Sequence, residues 1–144
     1  VNGITAGLAG MTLLGAPLTH RQHAHGVVFI TGHHQPGGHP TNWRQLAATA
    51  RDARLTLVIY MGVKSCAYIQ AELLTALPAH MPAAVIQHAS LPQQRHALTF
   101  LKDLPQSIAD HQLGSPSIIV VGDVVQGIAA WQNQPQALPQ SAAA

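Results

Sequence analysis

Short runs of apolar, β-branched residues recur along the chain and alternate with segments whose apolar residues have helical spacing. The apolar runs predict buried strands at residues 26–32, 55–60, within 82–90, and at 117–122. Strands that are apolar along both faces are typical of a sheet that helices cover on both sides. The alternation therefore predicts an α/β fold with a mainly parallel or mixed sheet and helices on both faces.

Helical spacing predicts four helices, at residues 4–14, 43–52, 66–77 and 104–113. Thr41 or Asn42 can cap the second helix, and Ser65 can cap the third. Residues 95–104, RHALTFLKDL, are ambiguous between a strand and a helix. The pattern thus leaves one segment of the core unassigned.

Two segments lack any such pattern. Residues 33–40, HHQPGGHP, contain two prolines and two glycines and are predicted to form a loop. Residues 132–144, a low-complexity run of polar residues and alanine, are predicted to be disordered.

Composition narrows the class of protein. The chain has 144 residues, a formal net charge of +2 and only 8% charged residues, which fits one apolar globular domain. Scattered basic residues and an aromatic content of 4% argue against a nucleic-acid-binding protein. One cysteine, no membrane-length apolar run and no signal-like start predict a soluble, cytoplasmic protein without membrane association.

Three strand ends carry candidate chemistry: Thr31-Gly32-His33, Met61-Gly62, and Gln87-His88-Ala89-Ser90. Ligands in open α/β sheets bind beyond the carboxyl ends of the strands, so these ends are predicted to outline one crevice. Gly62 would let a ligand approach the backbone, and Met61 would offer a soft, adaptable wall. The alternative is that Met61 simply fills the core.

Other chemistries have weaker support in the sequence. Six of the ten histidines form clusters at 20–25 and 33–39 and raise the hypothesis of a metal site. The first cluster has no carboxylate or thiolate neighbour and the second lies in a loop without periodicity, so solvated loop histidines and no metal site are expected. Cys66 is expected to be a small buried hydrophobe and not a nucleophile, although a helix N-terminus could lower its pKa. The sequence has no G-x-G-x-x-G loop, no G-x-S-x-G elbow and no close pair of carboxylates.

Eight collinear motifs resemble one family, the uroporphyrinogen-III C-methyltransferases, which use S-adenosylmethionine. The motifs span about 125 residues, and PLTHR, TGH and YMG together are specific to that family. They are GITAG (3–7), PLTHRQHA (17–24), VVFITGH (27–33), NWRQLA (42–47), TLVIYMGV (56–63), MPAAVIQHAS (81–90), PQQR (92–95) and SIIVVGDVV (117–125).

The resemblance covers roughly the second half of a family member. The glycine-rich first lobe, its GGDP-like cofactor loop and an Arg/Glu segment have no counterpart in these 144 residues. The resemblance therefore implies a linker helix and the start of the lobe at 1–25, the C-terminal lobe at 26–131, and the tail at 132–144. A chain that starts at Val1, within a motif, is expected to be a fragment of a longer protein and inactive alone.

The family's cofactor contacts fall on Thr5, Ala6, Met61 and Ala89. At the last position the family usually has glycine, so the extra methyl group is expected to narrow the cofactor slot. Residues 8–10, Leu-Ala-Gly, also depart from the family, which has small or polar residues there.

Substrate contacts implied by the resemblance fall on Arg21, His33 and Met61, with Arg21 as a clamp for tetrapyrrole carboxylates. The same resemblance implies a homodimer. His33 is expected to hydrogen-bond a substrate arm, and assistance with proton movement is the alternative. Two other functions stay open: a methylase of a later precorrin, and a non-catalytic lobe that packs or binds a ligand weakly.

Overall fold

A computed structural model describes residues 2–132, so the predicted disordered tail lies outside the described residues except for Gln132. Five strands and five α-helices fill this part of the chain. In order they are α1 Ala6–Leu13, β1 Gly26–Thr31, α2 Trp43–Ala53, β2 Leu55–Tyr60, α3 Cys66–Leu73, β3 Pro82–Gln87, β4 Arg95–Phe100, a 3-10 turn Leu101–Asp103, α4 Leu104–Asp110, β5 Ser117–Val121 and α5 Val125–Gln132.

The five strands form one sheet in the order β1-β2-β5-β3-β4. Only β1 and β2 pair in parallel, while β5 runs antiparallel to both β2 and β3, and β4 runs antiparallel to β3. The α/β class and the mixed sheet are therefore confirmed, and the mainly parallel alternative is wrong. A buried strand is apolar whichever way it runs, so its composition does not reveal its direction.

Helices cover both faces of the sheet, as predicted. Helices α2, α3 and α4 pack on one face through buried residues that include Trp43, Ala47, Ile69, Leu73 and Leu104. On the opposite face α1 and α5 supply Met11, Val125 and Ile128. Alternate residues of each central strand enter the two clusters, which explains why these strands are apolar throughout.

One of the two predicted helix-capping interactions is present in the structure. The Asn42 side chain accepts a hydrogen bond from the Gln45 backbone N–H at 3.0 Å, so Asn42 caps α2 as expected. Ser65 occupies the corresponding position of α3 but makes no side-chain capping bond. The ambiguous segment 95–104 divides into strand β4 and the 3-10 turn that leads into α4.

One buried hydrogen bond ties the segment after α1 to the sheet. Thr56 of β2 is fully buried, and its hydroxyl donates to the Leu18 carbonyl at 2.8 Å. Nearby, the His25 N–H donates to the Arg54 carbonyl at 2.8 Å. These bonds fix the path of residues 18–25 next to β2.

None of the described helices is long and apolar enough to cross a lipid bilayer.

Two glycines allow the chain segments that follow β1 and β2 to pack closely against each other. A Cβ at Gly32 would lie 2.6 Å from the Gly62 Cα, and a Cβ at Gly62 would lie 2.9 Å from Ile59 Cγ2. Gly62 is also buried and does not line the cavity described below. A Cβ at position 62 would press on Ile59, so packing favours glycine there, and the sequence-based explanation through close ligand approach stays a prediction.

Replacement of Gly32 by alanine should lower the free energy of unfolding by about 1–3 kcal/mol, the usual cost of overpacking a close contact. Gly127→Ala is the matched control, because a Cβ at that helical position meets nothing within 4 Å. We expect Gly127→Ala to be neutral or slightly stabilising. Urea unfolding of both variants measures the difference, and equal stabilities would contradict this explanation of the close approach.

Candidate functional site

The carboxyl ends of β1, β2 and β3 meet at one edge of the sheet. Because β5 lies between β2 and β3 and runs antiparallel to both, β2 and β3 point in the same direction, and β1 is parallel to β2. The amino end of β5 reaches the same edge, where Ser117 pairs with Gln87. The three strand ends singled out in the sequence therefore converge, although the sheet is mixed.

A cavity of about 520 Å³ lies at this edge, within the size range of small-molecule sites. Its apolar lining comes from the ends of β2, β3 and β5 and from the start of α1. The apolar lining residues are Ala6, Met61, Ile86, Ala89, Leu91 and Ile118. The shape and lining suit a largely apolar ligand that also carries polar groups.

The structure brings most of the predicted site residues to this cavity. Ala6, His33, Met61 and Ala89 all line it. Arg21 does not line it, since it lies in the exposed turn that follows α1. The role of Arg21 as a carboxylate clamp stays a prediction.

Tyr60, the last residue of β2, connects Thr5 to the cavity through a hydrogen bond. Its hydroxyl accepts a hydrogen bond from the Gly7 backbone N–H at 3.0 Å and also bonds the Thr5 hydroxyl. This phenol thereby satisfies one free N–H at the first turn of α1. Tyr60 lines the cavity, so it fixes Thr5 and Ala6 beside the space that a ligand would occupy. Tyr60 belongs to the YMG motif, which does not reveal this contact in the sequence.

Met61 is 62% exposed, so the alternative that it fills the core is wrong. Its backbone has φ +53°, in the left-handed region that disfavours residues with a Cβ. His88 and Ser90, after β3, share this conformation, with φ of +51° and +70°. Three such residues at one edge concentrate backbone strain around the cavity, as is common at functional sites.

Further polar groups line the cavity, and of these the sequence singled out only His88, as part of the strand end at 87–90 and without a role. Lys64, Ser65 and His88 follow strand ends, and Ser115 and Ser117 precede or begin β5. Lys64 could have been found, because it stands four residues after the predicted end of the strand at 55–60. The contribution of residues 115–117 could not, because it requires knowing that β5 runs in the opposite direction.

Within residues 2–132, the structure gives no support to a nucleophilic role of Cys66 or to metal binding by the histidine clusters. Burial raises the pKa of the Cys66 thiol to about 11, so the thiol stays protonated at neutral pH. In the part of the chain that the structure describes, no group of three or more potential ligands could hold a metal ion. The His20 and His23 rings stack on one another, with centroids 4.6 Å apart.

Comparison with known proteins places this geometry in one family. The family described as "Tetrapyrrole (Corrin/Porphyrin) Methylases" matches residues 1–105. A uroporphyrinogen-III C-methyltransferase of Pseudomonas aeruginosa is 43% identical over 129 residues, which cover 89% of this chain and 51% of that protein. A siroheme synthase of Thiobacillus denitrificans is 40% identical over 147 residues, covering 100% of this chain and 30% of that protein.

A solved structure shares the fold. The uroporphyrin-III C-methyltransferase from Thermus thermophilus, complexed with S-adenosylhomocysteine, has a TM-score of 0.70 and 31% sequence identity. The match covers 88% of this chain and 51% of that one. The chain therefore spans about half the length of the methyltransferases it matches and a smaller share of the siroheme synthases, 26% for several of them.

Substitutions at Met61 should change the stability of the protein according to how well each residue tolerates a positive φ. We expect Met61→Gly to be at least as stable as the parent chain, since glycine removes a left-handed cost of about 1–2 kcal/mol. Met61→Val should lose about 1–2 kcal/mol, because β-branched residues tolerate this conformation poorly. Thermal or urea unfolding measures both.

Leu91 provides the matched control, because it is also exposed and lines the cavity but has no positive φ. There the order should reverse, with Leu91→Gly less stable than Leu91→Val. The same order at both positions would contradict the assignment of strain to Met61.

Proposed function

The chain belongs to the tetrapyrrole methylase family, and on that premise we propose that it forms the C-terminal lobe of an S-adenosylmethionine-dependent uroporphyrinogen-III C-methyltransferase. The product of this reaction is precorrin-2. The proposal includes the predicted cytoplasmic location. It is limited by the length of the chain, which covers about half of its methyltransferase relatives.

One observation carries the proposal: Ala6, Met61 and Ala89 come from three separate elements and line one cavity. The resemblance assigns these same residues to the cofactor. Residues so far apart in the sequence would share a cavity only if the strand ends converge. The strand ends converge because β5 is inserted between β2 and β3. The relative that was solved with S-adenosylhomocysteine supports the choice of cofactor.

The lining fits an adenosyl cofactor. Ala6, Ile86, Ala89 and Ile118 provide an apolar surface for a flat ring, and the Met61 thioether is a polarisable neighbour for a sulfonium. When bound, S-adenosylmethionine would supply an electrophilic methyl group: a C–C bond to an electron-rich pyrrole carbon would form as the methyl–sulfur bond breaks, with S-adenosylhomocysteine as the leaving group and a proton lost from the substrate. Thr5 and Ala6, held by Tyr60, would border the same ligand.

The contribution of the chain to the reaction is mainly positional. Holding a donor and an acceptor in line can lower a barrier by about 7–11 kcal/mol. Met61 and His33 both line the cavity, and we assign Met61 to the border between cofactor and substrate, as the resemblance implies. We assign His33 a hydrogen bond to a substrate arm, since its imidazole is exposed and a carboxylate is a strong acceptor.

S-adenosylhomocysteine should bind the chain, and the variant Ala89→Val should weaken that binding about tenfold or more, because two further methyl groups enter the cavity. Isothermal titration calorimetry measures both affinities. Ala89→Gly is the matched control: it restores the residue usual in the family and should bind at least as tightly as the parent. The melting temperatures of the variants establish that each is folded.

Absence of binding by the folded parent chain, or equal affinities of the valine and glycine variants, would contradict the proposed cofactor site. We expect no methyl transfer to uroporphyrinogen III by the 144-residue chain alone, because it supplies residues on only one side of the cleft. Turnover by the isolated chain would refute that part of the proposal.

We also propose that the chain forms a homodimer through the surface between α1 and β1. Ile4, Leu8 and Phe29 are exposed there, and Phe29 lies beside the first turn of α1, 3.3 Å from a Cβ built on Gly7. Contiguous exposed apolar surface is typical of an interface between subunits.

Light scattering should give the mass of a dimer for the parent chain and of a monomer for Phe29→Lys. Phe100→Lys is the control, because Phe100 is similarly exposed on β4, which is the outermost strand on the side of the sheet away from β1. A monomeric parent at high concentration, or a Phe29→Lys variant that still dimerises, would contradict this interface.

A further inference from the structure

Three basic side chains, His33, Lys64 and His88, line the cavity together. We propose that they form a basic row that binds several carboxylates of one ligand at once, with Lys64 and His88 as substrate-specificity residues that the family resemblance does not assign. This inference rests on the proposed function, since it names how the same cavity would recognise a tetrapyrrole.

The three residues are spread across the sheet edge. His33 follows β1, Lys64 follows β2, and His88 follows β3, with β5 between the last two strands. Adjacent strands lie about 4.8 Å apart, so the ends of β1 and β3 are separated by about 14 Å. One carboxylate cannot contact both ends of such a row. A ligand that carries carboxylates around a wide ring can.

No acidic side chain offsets this basic row. The chain has five acidic residues, all in the described part, and none of them lines the cavity. Glu72 forms a bidentate pair with Arg44, at 3.0 and 3.1 Å, on another surface. Asp103 and Asp123 follow the ends of strands that terminate at the opposite edge of the sheet. The local charge of the cavity therefore favours an anion.

The side-chain nitrogens of the basic row are not engaged by other groups. Within residues 2–132, no hydrogen bond or ion pair involves the His33 imidazole, the Lys64 ammonium or the His88 imidazole. Arg95, at the same sheet edge, differs, since its guanidinium donates to the His111 carbonyl at 2.6 Å. The three residues thus keep their donors for a ligand, whereas Arg95 serves the fold.

The exposed apolar side chains of the lining specify the rest of the ligand. Met61 and Leu91 are exposed at the cavity, whereas the buried Ile86 and Ile118 face the cofactor in the proposed function. A ligand that satisfies both parts has a broad apolar body with anionic arms. A macrocyclic polycarboxylate meets this description better than a single phosphate or a small dicarboxylate.

Binding of two porphyrins, followed by fluorescence quenching, tests the row. The octacarboxylate uroporphyrin III should bind the parent chain more tightly than the tetracarboxylate coproporphyrin III. Lys64→Gln and His88→Gln should each weaken uroporphyrin binding about fivefold to tenfold, as expected for loss of one charge-assisted hydrogen bond. The loss should be smaller for coproporphyrin, which has fewer carboxylates to place.

Lys102→Gln and His80→Gln are matched controls, because both residues are exposed and neither lines the cavity. These two variants should bind uroporphyrin like the parent. S-adenosylhomocysteine carries one carboxylate, so its affinity, measured on the same proteins, should fall less in the Lys64 and His88 variants than the uroporphyrin affinity does, and it should be unchanged in the two controls. A merely structural role of Lys64 or His88 would lower the affinities for both kinds of ligand together.

The outcomes separate the two proposals. If S-adenosylhomocysteine binds but the Lys64 and His88 variants bind uroporphyrin like the controls, the basic row is wrong and the proposed function stands. A parent chain that binds no uroporphyrin, or prefers coproporphyrin, also overturns the row. Failure to bind S-adenosylhomocysteine contradicts the proposed function itself.

Discussion

The antiparallel insertion of β5 between β2 and β3 is the constraint on which the rest of the structure depends. Residues 118–121 of β5 are buried, and the strand is hydrogen-bonded on both sides. Its position sets the direction of β3 relative to β2 and so brings three carboxyl ends to one edge. Without that insertion, Met61 and Ala89 would not share a cavity, and the chemistry we propose would have no common site.

Much of the fold could be predicted because local composition determines it. The strand at 55–60 has the predicted bounds, and Asn42 caps α2, since both signals lie within a few residues of the element they define. The direction of the strands was not predictable in the same way. Pairing of β5 with two strands more than thirty residues distant is decided by tertiary packing, and residues 95–100 became a strand only because the edge of β3 was available to them.

The candidate site was predicted in part, for two different reasons. The family resemblance selected Ala6, Met61 and Ala89, while the rule that ligands bind at strand ends selected the edge itself. The close approach of Gly32 and Gly62 could not be predicted, because it requires the chain segments after β1 and β2 to be placed side by side. Tyr60 was overlooked because a phenol at a strand end has no distinctive pattern until the first turn of α1 is placed above it.

The uneven placement of charge has a kinetic consequence. Lys64 and two histidines stand at the cavity edge, whereas all the acidic side chains lie elsewhere on the described surface. The positive charge of Lys64 at the opening has no carboxylate beside it among the lining residues, so it attracts an approaching polyanion before any contact forms. Capture of a multiply charged ligand would then be faster than random collision with a patch of this size allows, and it would slow as ions in solution screen the field.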